Sequence, residues 1–182
     1  LDGATADISP LASFVFTSVS HQVPSPSTLV ELFNPKPDDA QVTLRLRDSD
    51  GQLVASAAPK VAAGGTKFLD LTALFPAASL SSFAGGFIEC ASDVPLVARE
   101  TFGNAMESNV LGGQAPFQTS TFNVPHFATG GSNSTEITLL NLDVARQANL
   151  TLTMLDNNGI AVPVAGNPAK VTILHGKQLI ET

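Results

Sequence analysis

Several residue types are scarce or missing in this chain of 182 residues. It contains one cysteine, no tryptophan and no tyrosine, and charged residues make up only 14% of it. A single cysteine excludes a disulfide framework within the chain and a zinc site built from several cysteines. The apolar content of 43% is too high for a disordered chain, yet no run approaches the roughly 20 apolar residues of a membrane-spanning helix.

The charge that is present is mostly negative. Nine basic residues stand against 16 acidic ones, which gives a net charge of −7. Because nucleic-acid binding requires a positive surface, we expect no nucleic-acid partner. The low lysine content and the abundance of Ser, Thr, Ala and Gly are typical of a secreted bacterial protein, so we expect an extracellular or cell-surface location.

Alternation of apolar and polar residues predicts an all-β protein. In residues 42–47 and again in residues 150–154, apolar side chains alternate with Thr or Arg. This period of two, with one apolar and one polar face, is typical of half-buried antiparallel strands. Each run is followed by a hairpin signal, Asp-Gly or Asn-Gly. Helical patterns are confined to short segments at residues 69–75 and 78–83.

The strand registers predict which side chains form the core. We expect buried positions at Val30, Leu32, Val42, Leu44, Leu46, Ile137, Leu139, Leu150, Leu152 and Met154. The alternating positions Arg45, Arg47, Thr151 and Thr153 should face outward, since successive side chains of a strand point to opposite faces.

The two alternating runs belong to an internal repeat. Residues 40–51 align with residues 148–159, and residues 28–34 align with residues 135–141. The order, the spacing and the turn type agree in the two copies, which indicates a repeated supersecondary unit. A weaker match pairs Gly64 with His175 and the residues that follow them.

The two copies are unequal in length. The first continues through predicted strands at residues 83–90, 95–102 and 107–111, with a turn at Ser92 and Asp93 between the first two. The second ends before any counterpart of these strands. We therefore predict an N-terminal arm over residues 1–12, a first sandwich over 13–113 and a second, partial sandwich over 119–182.

Six segments of strand and turn sequence carry a family resemblance. They are residues 32–35, 69–76 and 83–87 in the first copy and residues 124–131, 135–141 and 155–159 in the second. Together they resemble a β-sandwich repeat of large, mostly uncharacterised secreted bacterial proteins. The resemblance implies tandem immunoglobulin-like or fibronectin-like antiparallel β-sandwiches, the second one incomplete, and implies no activity.

Three acidic residues in the hairpin turns, Asp48, Asp50 and Asp156, are candidates for Ca²⁺ binding. An EF-hand loop needs oxygen ligands at alternate positions and a Glu six residues after the loop glycine. Here Arg47 and Leu155 stand beside the carboxylates and no such Glu follows. The hairpin turn alone accounts for these residues, so we expect no metal site and no cofactor.

Histidine and cysteine offer little for catalysis. His21 and His126 occupy equivalent places in the two copies, and each is explained either as a ligand or as a side chain that bonds a loop backbone. We favour the second interpretation, because neither has another histidine or a carboxylate beside it. Cys90 lies in a strand and is interpreted as a small buried thiol. The nucleophile elbow, the zinc-protease motif and the P-loop are absent, so we expect no enzymatic activity.

Two functions remain after these exclusions. The first is a structural or adhesive protein of the cell exterior that polymerises by exchanging strands between subunits. The alternative is a ligand- or carbohydrate-binding accessory module of a larger secreted protein, although tryptophan and tyrosine, which commonly stack on sugars, are absent. The expected partners are other copies of the chain or neighbouring domains of a longer one.

The shorter second copy suggests where subunits would meet. Its inward apolar row would face an unfinished layer, and an open strand edge invites pairing. Further residues of a longer chain, the first copy or another subunit could close it. A candidate donor strand is the N-terminal arm, in which apolar and polar residues alternate. The predicted interface comprises Ala6, Ile8, Pro10, Ile137, Leu139 and Leu152.

Overall fold

The computed structural model describes residues 9–21, 28–103, 108–116, 121 and 135–181. The chain divides into two compact units, Leu1–Phe127 and Ala128–Thr182. All strand pairs among these residues are antiparallel. The prediction of an antiparallel, mostly β protein is therefore confirmed. No helix among the described residues has the length and the apolar character needed to cross a membrane.

The elements described in the first unit are strands apart from two single-turn helices. They are β1 (Leu11–Val19), β2 (Leu29–Phe33), β3 (Ala40–Asp48), β4 (Leu53–Ala57), β5 (Lys60–Val61), β6 (Thr66–Asp70), α1 (Leu71–Leu74), α2 (Ala77–Leu80), β7 (Gly86–Gly103) and β8 (Ser108–Gly112). The second unit contains β9 (Ile137–Leu140), β10 (Ala148–Leu152), β11 (Ala169–Ile173) and β12 (Gln178–Glu181).

The long strand β7 organises the first unit. Its first half pairs with β1 and β3, and its second half pairs with β2 and β8. Strands β4 and β6 lie at the two ends of the order β4-β3-β7-β2-β6. Because each half of β7 is the centre of its own group of strands, the eight-stranded sheet curls around one shared core. This curled sheet differs from the predicted pair of separate sandwich sheets.

β7 runs without reversal through the position where the sequence predicts a turn. Ser92 is the last residue paired with β3, and Val97 is the first paired with β2. Between them, the Asp93 carboxylate accepts the backbone N–H of Gln41 at 2.8 Å, and Pro95 has no N–H to donate. The predicted turn is wrong, because these residues mark the place where β7 changes partners.

The interior of the first unit confirms the predicted core. Of the five core positions predicted there, none is more than 2% exposed: Val30, Leu32, Val42, Leu44 and Leu46. Arg45 is exposed. Arg47 forms an ion pair with Glu89 of β7 at 2.9 Å. Both arginines therefore lie on the outer face, as the predicted register of β3 requires.

The two helices are shorter than the sequence predicts. Asp70 caps α1, and its carboxylate accepts the N–H of Ala73 at 2.8 Å. Pro76 separates α1 from α2. Leu71 and Leu80 are the buried residues of these helices, and both belong to the core. The helices therefore close the interior beyond β6.

The second unit has a thinner interior. β9 pairs with β12, and β10 pairs with β11. Leu139 and Ile173 are buried, whereas four predicted core residues are only half-buried: Ile137, Leu150, Leu152 and Met154. Within the described residues, no strand pairs with β9 and β10 as β7 pairs with β2 and β3 in the first unit. Thr151 and Thr153 are exposed, as predicted.

Candidate functional site

Glu100 is a buried carboxylic acid inside the first unit. It follows Leu96 and Ala98 at alternate positions of β7, so all three side chains point to the interior. The residue is 0% exposed. Sequence reasoning missed it, although a glutamate in register with two apolar residues of one strand is a detectable signal.

The carboxylate of Glu100 bonds an irregular segment of β1. Phe16 pairs with Ile88 and Val19 pairs with Gly86, so that Thr17 and Ser18 stand opposite a single residue of β7. Such a bulge interrupts the ladder of backbone hydrogen bonds. Glu100 Oε1 accepts the N–H groups of Thr17 and Ser18 at 3.1 and 3.2 Å.

The second oxygen of this carboxylate differs from the first in its hydrogen bonding. Glu100 Oε2 is buried and has no hydrogen-bond partner among the described residues. Burial raises the pKa of Glu100 to about 7, and the N–H groups of Ser18 and Thr17 oppose the shift. The carboxyl can therefore hold a proton near neutral pH.

The end of β1 is also tied to the start of β2. Thr28 is completely buried, and its hydroxyl accepts the N–H of Ser20 at 3.0 Å. The N–H of Thr28 donates to the carbonyl of Ser20 at 3.2 Å. Thr28 and Glu100 thus hold consecutive parts of the same chain segment.

His21 follows this segment. It is partly buried, and its Nδ1 has no hydrogen-bond partner among the described residues. The Thr72 hydroxyl and the Ala73 N–H lower the pKa of Asp70, and the charge of His21 contributes in the same direction. His126, the predicted counterpart, lies outside the described residues.

A buried asparagine occupies the same corner in each unit. Asn34 donates from Nδ2 to the carbonyls of Asp38 and Val61, and its Oδ1 accepts the N–H of Lys36. Asn141 makes the corresponding bonds to Arg146, Ile173 and Asp143. These three hydrogen bonds therefore occur in both units, and Asn141 also donates from Nδ2 to the carbonyl of Leu174.

A second turn refines the alignment of the repeat. Gly64 has φ +63° and Gly176 has φ +68°. Their N–H groups donate to the carbonyls of Lys36 and Asp143 respectively. Gly64 therefore corresponds to Gly176, one residue from the predicted match with His175, which is exposed.

The Ca²⁺ candidates serve the hairpin turns. Asp48 Oδ1 accepts the N–H of Gln52 at 2.8 Å. Asp156 Oδ1 accepts the N–H groups of Ile160 and Asn158, which lower its pKa. Asp50 lies in the same turn as Asp48. Within the described ranges, no group of three or more His, Cys, Asp or Glu side chains is placed to hold a metal ion.

Cys90 lies in the core of the first unit. It is 2% exposed, and burial raises the pKa of its thiol to about 12. Since the thiolate is the reactive form of cysteine, this thiol is unsuited to nucleophilic chemistry.

The predicted interface residues are only partly described. Ala6 and Ile8 lie outside the described residues, and Pro10 is exposed just before β1. Leu139 is 8% exposed, and Ile137 and Leu152 are half-buried. The interface itself stays a prediction.

Comparisons with known proteins give no family for this chain. No protein-family model matches the sequence, and no curated protein matches it. Among solved structures, the chain is similar to the Anabaena sensory rhodopsin transducer, with 19% identity and a TM-score of 0.45 over 54% of this chain and 89% of that one. It is also similar to the crystal structure of Thermotoga maritima 1070, with 11% identity and a TM-score of 0.45 over 58% of this chain and 96% of that one.

These findings correct the predicted family resemblance. The similar solved structures are a rhodopsin transducer and the Thermotoga protein, not immunoglobulin-like surface repeats. The assignment to a tandem surface-repeat family is therefore wrong. Strand and turn signatures misled it, since many unrelated β folds share them.

Proposed function

We propose that this protein is a non-enzymatic structural protein of the bacterial cell exterior that assembles by exchanging strands between copies. The observation that carries the proposal is the pairing of β9 and β10 in the second unit. Each of these strands has a described ladder on one edge only. An unpaired strand edge offers N–H and C=O groups to another chain.

The first unit shows which strand has no counterpart in the described part of the second unit. β2 and β3 correspond to β9 and β10, and each of them pairs with β7 on the edge away from its local partner. The described part of the second unit contains no counterpart of β7. We propose that an added strand pairs with the second unit in the way that β7 pairs with the first.

Backbone direction indicates which groups of β10 lie on the open edge. In the first unit, the N–H of Gln41 points toward β7, because it donates to the Asp93 carboxylate. The N–H of the next residue, Val42, points the other way and donates to the carbonyl of Pro59. By the repeat, the N–H of Thr151, which corresponds to Thr43, should lie on the open edge.

We assign the added strand to the N-terminal arm of a second copy. The alternation of Ala6, Ile8 and Pro10 with polar residues matches the half-buried row of the second unit. A contact between the arm of one copy and the second unit of the next is head to tail, and repetition of it produces an open filament. The alternative of a ligand-binding accessory module stays a prediction.

The first test blocks the open edge. Thr151→Pro removes the N–H proposed to bond the added strand, and its side chain is exposed, so the interior is unchanged. Thr151→Val keeps the N–H and serves as the matched control. By light scattering over a concentration series, the control should assemble as the natural chain does, and the proline variant should remain monomeric.

The second test removes the donor. Deletion of residues 1–8 leaves β1 whole, because β1 begins at Leu11. The truncated chain should not assemble, and a synthetic peptide of residues 1–12 should bind it. A natural chain that is monomeric at high concentration, or a truncated chain that assembles as before, contradicts the proposal.

A further inference from the structure

We propose that Glu100 is a proton-operated latch, which fastens the C-terminal half of β1 to the interior of the first unit when neutral and loosens it when ionised. The latch comprises the Glu100 carboxyl and the bulge residues Thr17 and Ser18. It is independent of the assembly proposed above, since it lies within a single unit.

The latch connects the second half of β7 to β1 across the interior of the first unit. Glu100 is on the second half of β7, where its neighbours in the sheet are Val30 of β2 and Leu111 of β8. The bulge that it bonds pairs with the first half of β7. Because the bulge interrupts the ladder here, the two bonds from Glu100 hold a part of β1 that lacks regular pairing.

The surroundings favour the neutral carboxyl. β1 and β8 carry no ionisable residue. Glu31 of β2 and Arg99 of β7 face outward and pair with each other. The ammonium group of Lys67 on β6 donates to the carbonyl of Lys60, and Asp70 caps α1.

Two other polar side chains near the end of β1 act on groups other than Glu100. The Thr28 hydroxyl bonds the N–H of Ser20. His21 lies beyond Ser20, and its charge acts on Asp70. An ionised Glu100 therefore has no described cation to pair with, and its buried Oε2 gains a donor only if β1 moves and water enters.

The direction of the pH response follows from linkage. The pKa of Glu100 is about 7 in the closed form, against 4.5 for the solvated group. Between these values the closed form binds more protons than the open form, so opening becomes more favourable as pH rises. The opening constant should increase by up to about tenfold per pH unit, about 40-fold from pH 5 to pH 7, and level off above pH 7.

The experiment measures exchange of the Thr17 and Ser18 amide protons by NMR from pH 5 to pH 8, corrected for intrinsic rates. In the natural chain, protection of both amides should fall about 40-fold between pH 5 and pH 7. Glu100→Gln should abolish this dependence, because the amide carries no charge at any pH. Glu89→Gln is the matched control: it changes an outward carboxylate of the same strand, paired with Arg47, and should keep the dependence.

A second measurement needs no variant. The ¹³C shift of the Glu100 carboxyl in the natural chain should titrate with a midpoint near 7. A midpoint near 4.5, or pH-independent protection of Thr17 and Ser18, overturns the latch. So does a Glu100→Gln chain whose amides respond to pH as the natural ones do.

Discussion

The buried polar side chains of this protein replace backbone hydrogen bonds that its strands cannot make. Glu100 bonds the two N–H groups of a bulge. Thr28 bonds the end of β1, and Asn34 and Asn141 bond the corners that follow β2 and β9. Each side chain stands where a strand ends or loses its regular partner, so its loss should leave buried backbone groups unpaired.

The first prediction concerns the corner of the first unit. Asn34→Ala removes two donors and one acceptor from a residue that is 0% exposed. The buried backbone groups then lose their partners, and unfolding free energy should fall by about 3 kcal/mol. Asn149→Ala, at an exposed position of β10, should change it by less than about 0.5 kcal/mol. Urea unfolding of both variants gives the comparison, and equal losses would contradict this account of the corner.

The second prediction is a maximum of stability in weakly acidic solution. The raised pKa of Glu100 gives stability that is complete below pH 4.5 and is lost as pH rises to about 7, a loss of about 3 kcal/mol. At acidic pH, stability is lost in the opposite direction because of Asp39 and Asp70. Lys60 lowers the pKa of Asp39, and the Thr72 hydroxyl lowers that of Asp70. Their contribution is present above pH 3.8 and is lost as pH falls.

Scanning calorimetry from pH 3 to pH 8 measures the loss of stability on each side of this maximum. The unfolding temperature of the first unit should be highest near pH 4, between the ordinary pKa values of 3.8 for the aspartates and 4.5 for Glu100. In Glu100→Gln the decline of the unfolding temperature above pH 5 should disappear, while its decline at acidic pH should remain. A melting temperature that rises steadily from pH 5 to pH 7 is incompatible with the assignment to Glu100.

Among the elements, β7 depends most on close backbone approach. Gly86 begins β7 opposite Asp48 of β3 and Val19 of β1. A Cβ atom at Gly86 would lie 2.0 Å from the carbonyl oxygen of Arg47. No side chain fits there unless the backbone of β3 moves away. The first pairs of β7 therefore require glycine at this position.

The third prediction tests this close approach. Gly86→Ala should lower the free energy of unfolding by about 3 kcal/mol, since the strain falls on backbone atoms. Gly85→Ala is the matched control, because its added Cβ makes an ordinary contact of 3.5 Å with the carbonyl of Val19. Urea unfolding should show the loss at residue 86 and little change at residue 85. A tolerated alanine at residue 86 would show that β3 and β7 are further apart.

Considered as a whole, the chain combines two units with unlike interiors. Leu44 of β3 is 0% exposed, whereas Leu152, its structural counterpart on β10, is half-buried. The difference arises because β3 is paired on both edges within a curled sheet that surrounds one core, whereas β10 has a described ladder with β11 only. The same apolar pattern thus produces a complete core in one unit and a partial one in the other.

The fourth prediction compares these two positions. Leu44→Ala should cost roughly 2–5 kcal/mol of unfolding free energy, as a cavity in a closed core does. Leu152→Ala should cost about 1 kcal/mol in the monomer, because much of its side chain is already in water. If strand exchange buries Leu152, the same substitution should also weaken assembly. Equal losses in dilute monomer would indicate that the second unit has a closed core.

Local sequence patterns determined much of this structure. The alternation in β3 placed Leu44 and Leu46 inside and Arg45 outside, because successive side chains of a strand point to opposite faces. The hairpin residues of the two copies make the same bonds, with Gly51 at φ +80° and Gly159 at φ +77°. These features depend on neighbours within a few residues, so the sequence displays them directly.

Long-range pairing decided the rest. Ser92 and Asp93 are residue types typical of turns. They lie in the middle of one strand because β7 pairs with β3 before them and with β2 after them. The alternation of β7 places Glu100 on the same face as Leu96 and Ala98, but only the curl of the sheet closes an interior over that face and makes the carboxyl fully buried. Such outcomes depend on residues some 80 positions apart, as between Glu100 and Thr17. A local pattern contains no information on which distant strand will supply the partner, and that choice fixes burial and therefore the chemistry of each side chain.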